Sequence, residues 1–488
     1  MKREYIEKVR KIEISFMPFC LLALLTVLVS CEDWLDVRPK SQVKEEIFFE
    51  SEDGFRDATL GIYTIMSSTS LYGGEATMAF LDVLAQQYSS VGQNYKQAMQ
   101  YNYADDGCKT RFDRMWTTAY SGVANCNYIL KNLQEKGRVM PDSLRRLVQG
   151  ETMAARTYLL FDMIRAYAPS YKTGMDSLAV PLVREVTNSP VTPTTVSASL
   201  DVLINDLEEA RELVKDIDPL GPAKTTYSEL PESQYWADDY LADDGFWLFR
   251  TSRFNYYGMT ALLARICLYK EDMSRALLYA QEVINSGKFE LINDKIMTDE
   301  QLSFPSVAEC MAHHEYITSL YIYDLKRSHN DLYYLDSQAA LTISNDRKTE
   351  IFGGYGLDFD FRVKRLFSIP SGNAKEYINK YMTGTQITLL KLGEMYLIAA
   401  EASGDIEYLK TFRRMRGYNS NPLPDGEDLI AELQKEYQRE FIGEGQLFFY
   451  YKRRNINQIP NTLVPTTQDI YVFPLPDQEI EFGYSNSN

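Results

Sequence analysis

The chain has 488 residues, with 51 Lys+Arg against 68 Asp+Glu and a net charge of −17. That balance excludes the basic footprint a nucleic-acid partner needs and the polybasic patch that binds anionic lipid. Tyr (35), Phe (23) and Trp (4) make up 13% of the residues, an excess of flat rings that, for Tyr, also carry a polar tip.

Lys2, Arg3, Lys8, Arg10 and Lys11 open the chain, and from Phe19 to Val29 only Thr26 is polar. A basic start followed by an apolar run of this length is a signal-peptide pattern, too short to span a bilayer. The run ends in Leu28-Val29-Ser30-Cys31, which resembles a bacterial lipobox: the Cys is lipidated and becomes the mature amino terminus. The alternative is an ordinary secretory signal cleaved near Ser30. Removing residues 1–30 takes away five basic and three acidic side chains, leaving 46 Lys+Arg against 65 Asp+Glu. So acidic a body does not cling to a membrane by itself, and an acylated Cys31 has to hold it there. Residues 31–50 read as a tether whose Trp34 and Leu35 pack on the body, residues 51–488.

Ser51-Glu52-Asp53 opens a helix with acidic residues in its first turn, and Phe55, Leu60, Ile62, Tyr63 and Met66 give its apolar face. Residues 67–114 read as irregular. Trp116, Ala119, Tyr120, Val123, Ile129, Leu130 and Leu133 form one apolar stripe. A turn at Met140-Pro141-Asp142 leads into a second helix, to about Ala168, which Pro169 ends. The two form an antiparallel pair. After a proline-containing connector, Ser197 or Ser199 caps a helix to about Lys215. Residues 218–252 read as an irregular insert holding Asp238-Asp239 and Asp243-Asp244.

Phe254–Lys270 and Ser274–Ser286 form the next pair, with Gly287 as its C-cap. Ala264 and Ala276, twelve residues apart and one per helix, allow the close approach of a tetratricopeptide hairpin. The pattern partly recurs at Leu389–Ala402 and Asp405–Arg416. Residues 300–385 break it, with strand-like alternation around Tyr316–Leu325 and a Gly-rich loop, Ile351-Phe352-Gly353-Gly354-Tyr355-Gly356, read as a turn presenting Tyr355. A last long helix runs from about Asp428 to Gln446, and Phe473-Pro474-Leu475-Pro476 is an extended tail. The fold class expected is mostly α: degenerate tetratricopeptide-type helical hairpins forming one scaffold, with long irregular loops and a few short strands. Its N-terminal part is 51–217 and its C-terminal part 253–488.

Several segments in order resemble the SusD/RagB family of surface lipoproteins of Bacteroidetes. They are Cys31-Glu32-Asp33-Trp34-Leu35-Asp36-Val37-Arg38-Pro39-Lys40, Phe55 to Tyr63, Gly150 to Arg156, Ala261 to Tyr269, Glu394 to Ala402, Arg439-Glu440-Phe441-Ile442-Gly443-Glu444-Gly445, and Phe473 to Pro476. The resemblance implies an outward-facing outer-membrane lipoprotein, with Glu32-Asp33 like a surface-export signal. It also implies a TonB-dependent SusC-like barrel as partner. Two departures stand out. The end, Gly483-Tyr484-Ser485-Asn486, differs from the family's asparagine-proline-rich finish. Residues 74–107 carry no clear aromatic-plus-asparagine signature of the starch-binding member.

No catalytic constellation is present in the sequence. His313 and His314 are adjacent and diverge on a helix or strand, where a helical metal pair wants i and i+4; they read as surface loop residues. There is no His-Glu-x-x-His, Gly-x-Ser-x-Gly or P-loop. The acidic pairs of the insert lack EF-hand spacing. Cys108, Cys126, Cys267 and Cys310 fit no zinc pattern; Cys126 and Cys267, within apolar helical stretches, read as buried thiols, and a disulfide in an exported chain stays open with no pair assigned. No metal, cofactor or catalytic residue is expected. Aromatic loops on a rigid helical frame suit ligand capture, with rings stacking on a sugar face or peptide side chain. The candidates are Tyr88, Asn94, Tyr95, Tyr101 and Asn102 in a first loop region, and Tyr321, Tyr333, Tyr334, Tyr355 and Phe359 in a second. The expected function is non-catalytic capture of oligosaccharides or glycans for the transporter. Alternatives are peptide capture of the RagB type, a secreted hydrolase, or a purely structural helical adaptor.

Overall fold

The computed structural model describes residues 47–222, 245–299, 307–335, 340–368, 376–462, 464 and 468–483. Cys31 and the leader, Trp34 and Leu35, and the acidic pairs at 238–244 lie outside the described residues. So do the side chains of Cys310 and Tyr334. Phe55–Asn488 form one compact unit.

Among the described residues the fold is mostly helical, with two small antiparallel ribbons. Helix α1 spans Glu52–Met66; of its expected apolar face, Phe55, Ile62, Tyr63 and Met66 are buried, while Leu60 is exposed. Residues 67–114, expected to be irregular, contain the short helix α2, Phe80–Leu84, a turn of helix at Lys96–Met99 and, from Asp106, the first turns of a long helix. Helix α3 spans Asp106–Lys136, starting ten residues before Trp116. The Asp105 side chain sets that start by accepting the N–H groups of Gly107 and Cys108.

Helix α4 is Asp142–Tyr167 and α5 is Val196–Val214. The cap of α5 is Thr195, which accepts from Ala198 N, rather than Ser197 or Ser199. Helices α6, Tyr256–Tyr269, and α7, Met273–Ile284, follow. They are capped by Asn255 and Asp272, and Gly287 leaves α7 with φ +66°. Strand β1, Tyr316–Tyr321, is followed by α8, Asn345–Phe359, then β2, Phe367–Ser368, β3, Tyr377–Ile378, and β4, Gln386–Lys391. β1 pairs with β4 and β2 with β3, both antiparallel. The chain closes with α9, Leu392–Ser403, α10, Ile406–Met415, α11, Leu429–Glu440, α12, Gln446–Arg454, and α13, Asp477–Phe482.

Packing follows chain order: α3 on α4, α4 on α5, α5 on α6, α6 on α7, α7 on α9, and α9 on α10. This is the stacking of helical hairpins, where each unit buries its apolar face on the next. Close crossings depend on small side chains. Ala264 and Ala276 are fully buried. A Cβ on Gly150 would sit 2.6 Å from Val214 Cγ1, so α4 and α5 cross there only because the residue is glycine.

Two further sequence expectations fail. The Gly-rich stretch 351–356 is not a turn; it lies within α8, which bends at Gly353 (φ 69°, ψ 173°). The long final helix is instead α11 and α12, separated by a tight connection in which Gly443 and Gly445 both have positive φ.

Candidate functional site

The densest polar cluster surrounds α11, and it is structural. Glu440 accepts Arg362 Nη1 at 2.6 Å and Arg416 Nη2 at 3.0 Å, with Lys391 Nζ also 3.0 Å away. Glu436 accepts Arg362 Nη2 at 2.7 Å and Arg413 Nε at 2.6 Å. Glu444 pairs with Lys380 and Lys391. All of these groups are buried. Burial alone would raise the Glu436 acid, but Arg362, Arg413 and Arg439 overcome it and hold the carboxyl at about 2. Carboxylates saturated by guanidinium groups and shut from solvent have no reacting partner. The Arg439–Gly445 segment therefore carries the frame, not chemistry.

The three histidines form no common site: His329 lies apart in sequence from the adjacent His313 and His314. His329 is core: its Nε2 lies 2.7 Å from Ile378 O, and burial lowers its pKa to about 4. His313 and His314 sit at the end of the helix Val307–His314 rather than in a loop, with rings nearly perpendicular and 4.8 Å apart. Among the described residues, no group of three or more His, Cys, Asp or Glu side chains could hold a metal ion. Cys108, Cys126 and Cys267 are buried free thiols, and burial raises each pKa above its usual value.

The two loop regions expected to bind ligand do meet, but largely through buried contacts. The Tyr88 and Tyr333 hydroxyls are 2.8 Å apart and both donate to Met78 O. Ser90 bridges to Thr342. Tyr95 is buried and donates to Glu75 at 3.2 Å, with the Arg111 guanidinium 4.4 Å above its ring. Half-buried Tyr101 donates to Leu84 O at 2.9 Å and accepts from Gln86 Nε2 at 3.1 Å. These phenols brace the loops. Asn94 and Asn102 are exposed, and Asn102 Nδ2 donates to Gln97 Oε1 at 2.9 Å.

Tyr321, Tyr355 and Phe359 reach solvent. Tyr355 and Phe359, one helical turn apart on α8, stack with centroids 4.5 Å apart and planes tilted by 32°. Tyr355 is half-buried and Phe359 is 53% exposed. Fully buried Tyr418 backs Tyr355 at 5.5 Å. Two glycines admit this arrangement. A Cβ on Gly356 would lie 2.5 Å from the Tyr418 hydroxyl, and one on Gly417 would lie 2.1 Å from Phe359 O. Exposed Asn419, Ser420 and Asn421 follow Tyr418, and the Asp425–Lys435 pair (3.0 Å) stands toward Gly353. The result is an aromatic ledge, one ring supported from below and one free, with amide, hydroxyl and charged groups nearby.

A second open group lies at the tip of the β1–β4 ribbon. Tyr321 is 55% exposed opposite Gln386, and Tyr323, two residues on, is 88% exposed. Phe249 is 62% exposed in a left-handed conformation (φ 52°). Its segment is tied to the ribbon by the Ser319 hydroxyl on Thr251 O, at 2.9 Å. Sequence reasoning passed over Tyr323 and Phe249. The signal for Tyr323 is its strand-period spacing from Tyr321; Phe249 is hidden in the Trp247-Leu248-Phe249 run of the insert. Both surfaces suit stacking on an apolar face, and neither presents an activated nucleophile or an acid–base pair.

Residues 33–223 match a SusD-like family described as starch-binding and associating with the outer membrane. A 113-residue segment is 28% identical to a SusD-like protein of Formosa agariphila, covering 21% of each chain, so the match spans about a fifth of that relative's length. The fold is similar to that of a SusD superfamily protein from Bacteroides thetaiotaomicron VPI-5482 (TM-score 0.66, 19% identity, 88% of this chain and 98% of that one). It is also similar to a SusD-like carbohydrate binding protein from Bacteroides vulgatus ATCC 8482 (0.65, 18%, 89% and 96%). A laminarin binding SusD-like protein is a further neighbour (0.62, 17%, 89% and 98%).

Proposed function

We propose that this chain, a member of the SusD/RagB family, is a non-catalytic receptor that captures oligosaccharides and passes them to a SusC-like TonB-dependent barrel in the outer membrane. The observation that carries the reading is the Tyr355–Phe359 ledge. Two adjoining rings, one helical turn apart on α8, offer a preformed apolar platform for a sugar ring. The neighbouring amides and hydroxyls can orient its hydroxyls. The starch-binding description of the matched family and the laminarin-binding neighbour support a glycan as the ligand class.

The same reading places the protein at the cell surface. Residues 1–30 are removed, lipidated Cys31 anchors the chain, and residues 31–50 tether residues 51–488. Among the described residues no helix is long and apolar enough to cross a membrane, so attachment in this reading rests on the acyl chains at Cys31.

The test is to titrate purified residues 32–488 with defined glycans and peptides by calorimetry, following product release in parallel. Saturable glycan binding without turnover is the expected result. Peptide binding with no glycan binding would move the function to peptide capture, and steady product release would make the chain a hydrolase.

A further inference from the structure

We propose that the cavity between the end of α4, helix α12 and the C-terminal segment 469–472 is a second binding site, separate from the ledge, for a mono- or disaccharide or a small polyol. The cavity has a volume of about 480 Å³, within the range of small-ligand pockets. Its walls come from three stretches far apart in sequence: the turn 169–173, Lys452, and 469–472.

The walls are fixed in advance. Buried Lys452 donates to Arg165 O at 2.5 Å and Ala168 O at 2.6 Å, which satisfies carbonyls at the end of α4. The Tyr471 hydroxyl donates to Ile456 O at 2.7 Å. Phe473 N donates to Ala166 O at 3.0 Å and pins the tail against α4. A site whose side chains are already held loses little ordering entropy on binding.

The chemistry of the walls selects the ligand. Pro169, Val472 and the Tyr471 ring give apolar surface. Beside them lie the Ser170 and Thr173 hydroxyls, 2.9 Å apart, and the Asp469 carboxylate, while the buried Lys452 amine is taken up by Arg165 O and Ala168 O. A hydrocarbon would leave the polar walls without partners. An anion would face Asp469, and a cation would find that one carboxylate with no second acidic group in the lining. A neutral polyhydroxylated ring meets both kinds of wall, with C–H faces against Tyr471 and Pro169 and hydroxyls toward Ser170, Thr173 and Asp469.

The experiment uses the mature chain and, as probes, glucose, galactose, mannose, N-acetylglucosamine, maltose and inositol, read by calorimetry and saturation-transfer NMR. Thr173 and Asp469 are exposed at the cavity, so Thr173→Trp, which fills it, and Asp469→Asn, which removes an acceptor charge, should both fold. At least one probe should bind saturably, at least tenfold more weakly in Thr173→Trp and severalfold more weakly in Asp469→Asn, with Leu278→Ala, at an exposed position of α7, unchanged. No saturable binding of any probe, or equal binding in wild type and Thr173→Trp, overturns the proposal. Longer oligosaccharides bound by Thr173→Trp and lost in Phe359→Ala belong to the ledge, so the two sites fail separately.

Discussion

The Asp82 carboxylate holds the backbone of Gly443, accepting its N–H at 2.6 Å across 361 residues of sequence. Its other oxygen takes Gly445 N at 2.9 Å. One side chain of α2 thus fixes the turn between α11 and α12 and ties the first loop region to the frame.

That bond has a pH signature. Burial pushes the Asp82 acid from its ordinary 3.8 up to about 8, against the lowering pull of the two N–H groups and Lys380, with Glu444 adding to the rise. Tyr88, Tyr333 and Tyr381 are the other titratable groups facing it. The folded acid keeps its proton to higher pH than the unfolded one. The folded state therefore binds more protons between about pH 4 and 8, and stability falls as pH rises through that window. The melting temperature should drop from pH 6 to pH 9, and Asp82→Asn, which cannot ionise, should flatten the drop. Equal slopes in the two proteins would remove Asp82 as the cause.

The ion network around α11 predicts the opposite behaviour in acid. Glu436 is held at about 2, below its ordinary 4.5. It contributes stability that is fully present above about pH 4.5 and lost as pH falls toward 2. The shift corresponds to about 3 kcal/mol. Glu440 lies well below its usual value as well: Arg416, Lys391 and Arg362 outweigh its burial. Glu440→Gln leaves those cations buried and undercompensated, at a cost of about 3–5 kcal/mol. Urea unfolding at pH 7 checks this, and an unchanged midpoint would count against the network as a stabilising unit.

Gly353 and Gly354 are adjacent and should respond in opposite ways to alanine. Gly353 has φ 69° and ψ 173°, a region open essentially to glycine alone, and alanine there costs about 1–3 kcal/mol. Space is not the obstacle, because a Cβ would meet only Asp425 Oδ2 at 3.9 Å. Gly354 has nothing within 4 Å of a built Cβ and an ordinary φ, so alanine there should be neutral or stabilise by up to about 1 kcal/mol. Thermal melts of the two variants decide it, and equal destabilisation would mean that the bend in α8 is not what requires Gly353.

These cases show what the sequence could and could not carry. Helix pairs such as Tyr256–Tyr269 with Met273–Ile284 are written in local periodicity and in Ala264 and Ala276, although the C-cap of the second helix is Asn285, with the expected Gly287 two residues beyond it. Local pattern misreads α8, because Gly353, Gly354 and Gly356 imitate a turn. One of these glycines serves a bend, and Gly356 serves the approach of Tyr418, 62 positions later. It misreads the end of α11 for a similar reason: the apolar spacing continues through Phe441, while Asp82, remote in sequence, claims the N–H groups that a continuing helix would use. The ligand candidates divide on the same ground. Tyr88 and Tyr333 look like loop tyrosines until their shared bond to Met78 O buries them. Tyr355 and Phe359 at i and i+4 were legible as a pair once their segment is known to be helical.

The ledge and the ribbon tip make separable claims on glycan binding. Phe359 is half exposed and its ring partner Tyr355 is backed by Tyr418, so Phe359→Ala removes stacking area while leaving the core intact. A lost aromatic platform is worth about 1–2 kcal/mol, or roughly 5–30-fold in Kd. Tyr323→Ala removes the most exposed ring of the ribbon tip with as little effect on packing. If the ledge is the capture site, Phe359→Ala weakens oligosaccharide binding by that factor and Tyr323→Ala leaves it within twofold, both with wild-type melting temperatures. The reverse pattern transfers the site to the Tyr321–Tyr323 tip, where the left-handed Phe249 is the next ring to remove. Comparable losses in both variants mean that one chain of sugars spans the two surfaces, and the double variant should then lose the product of the two factors.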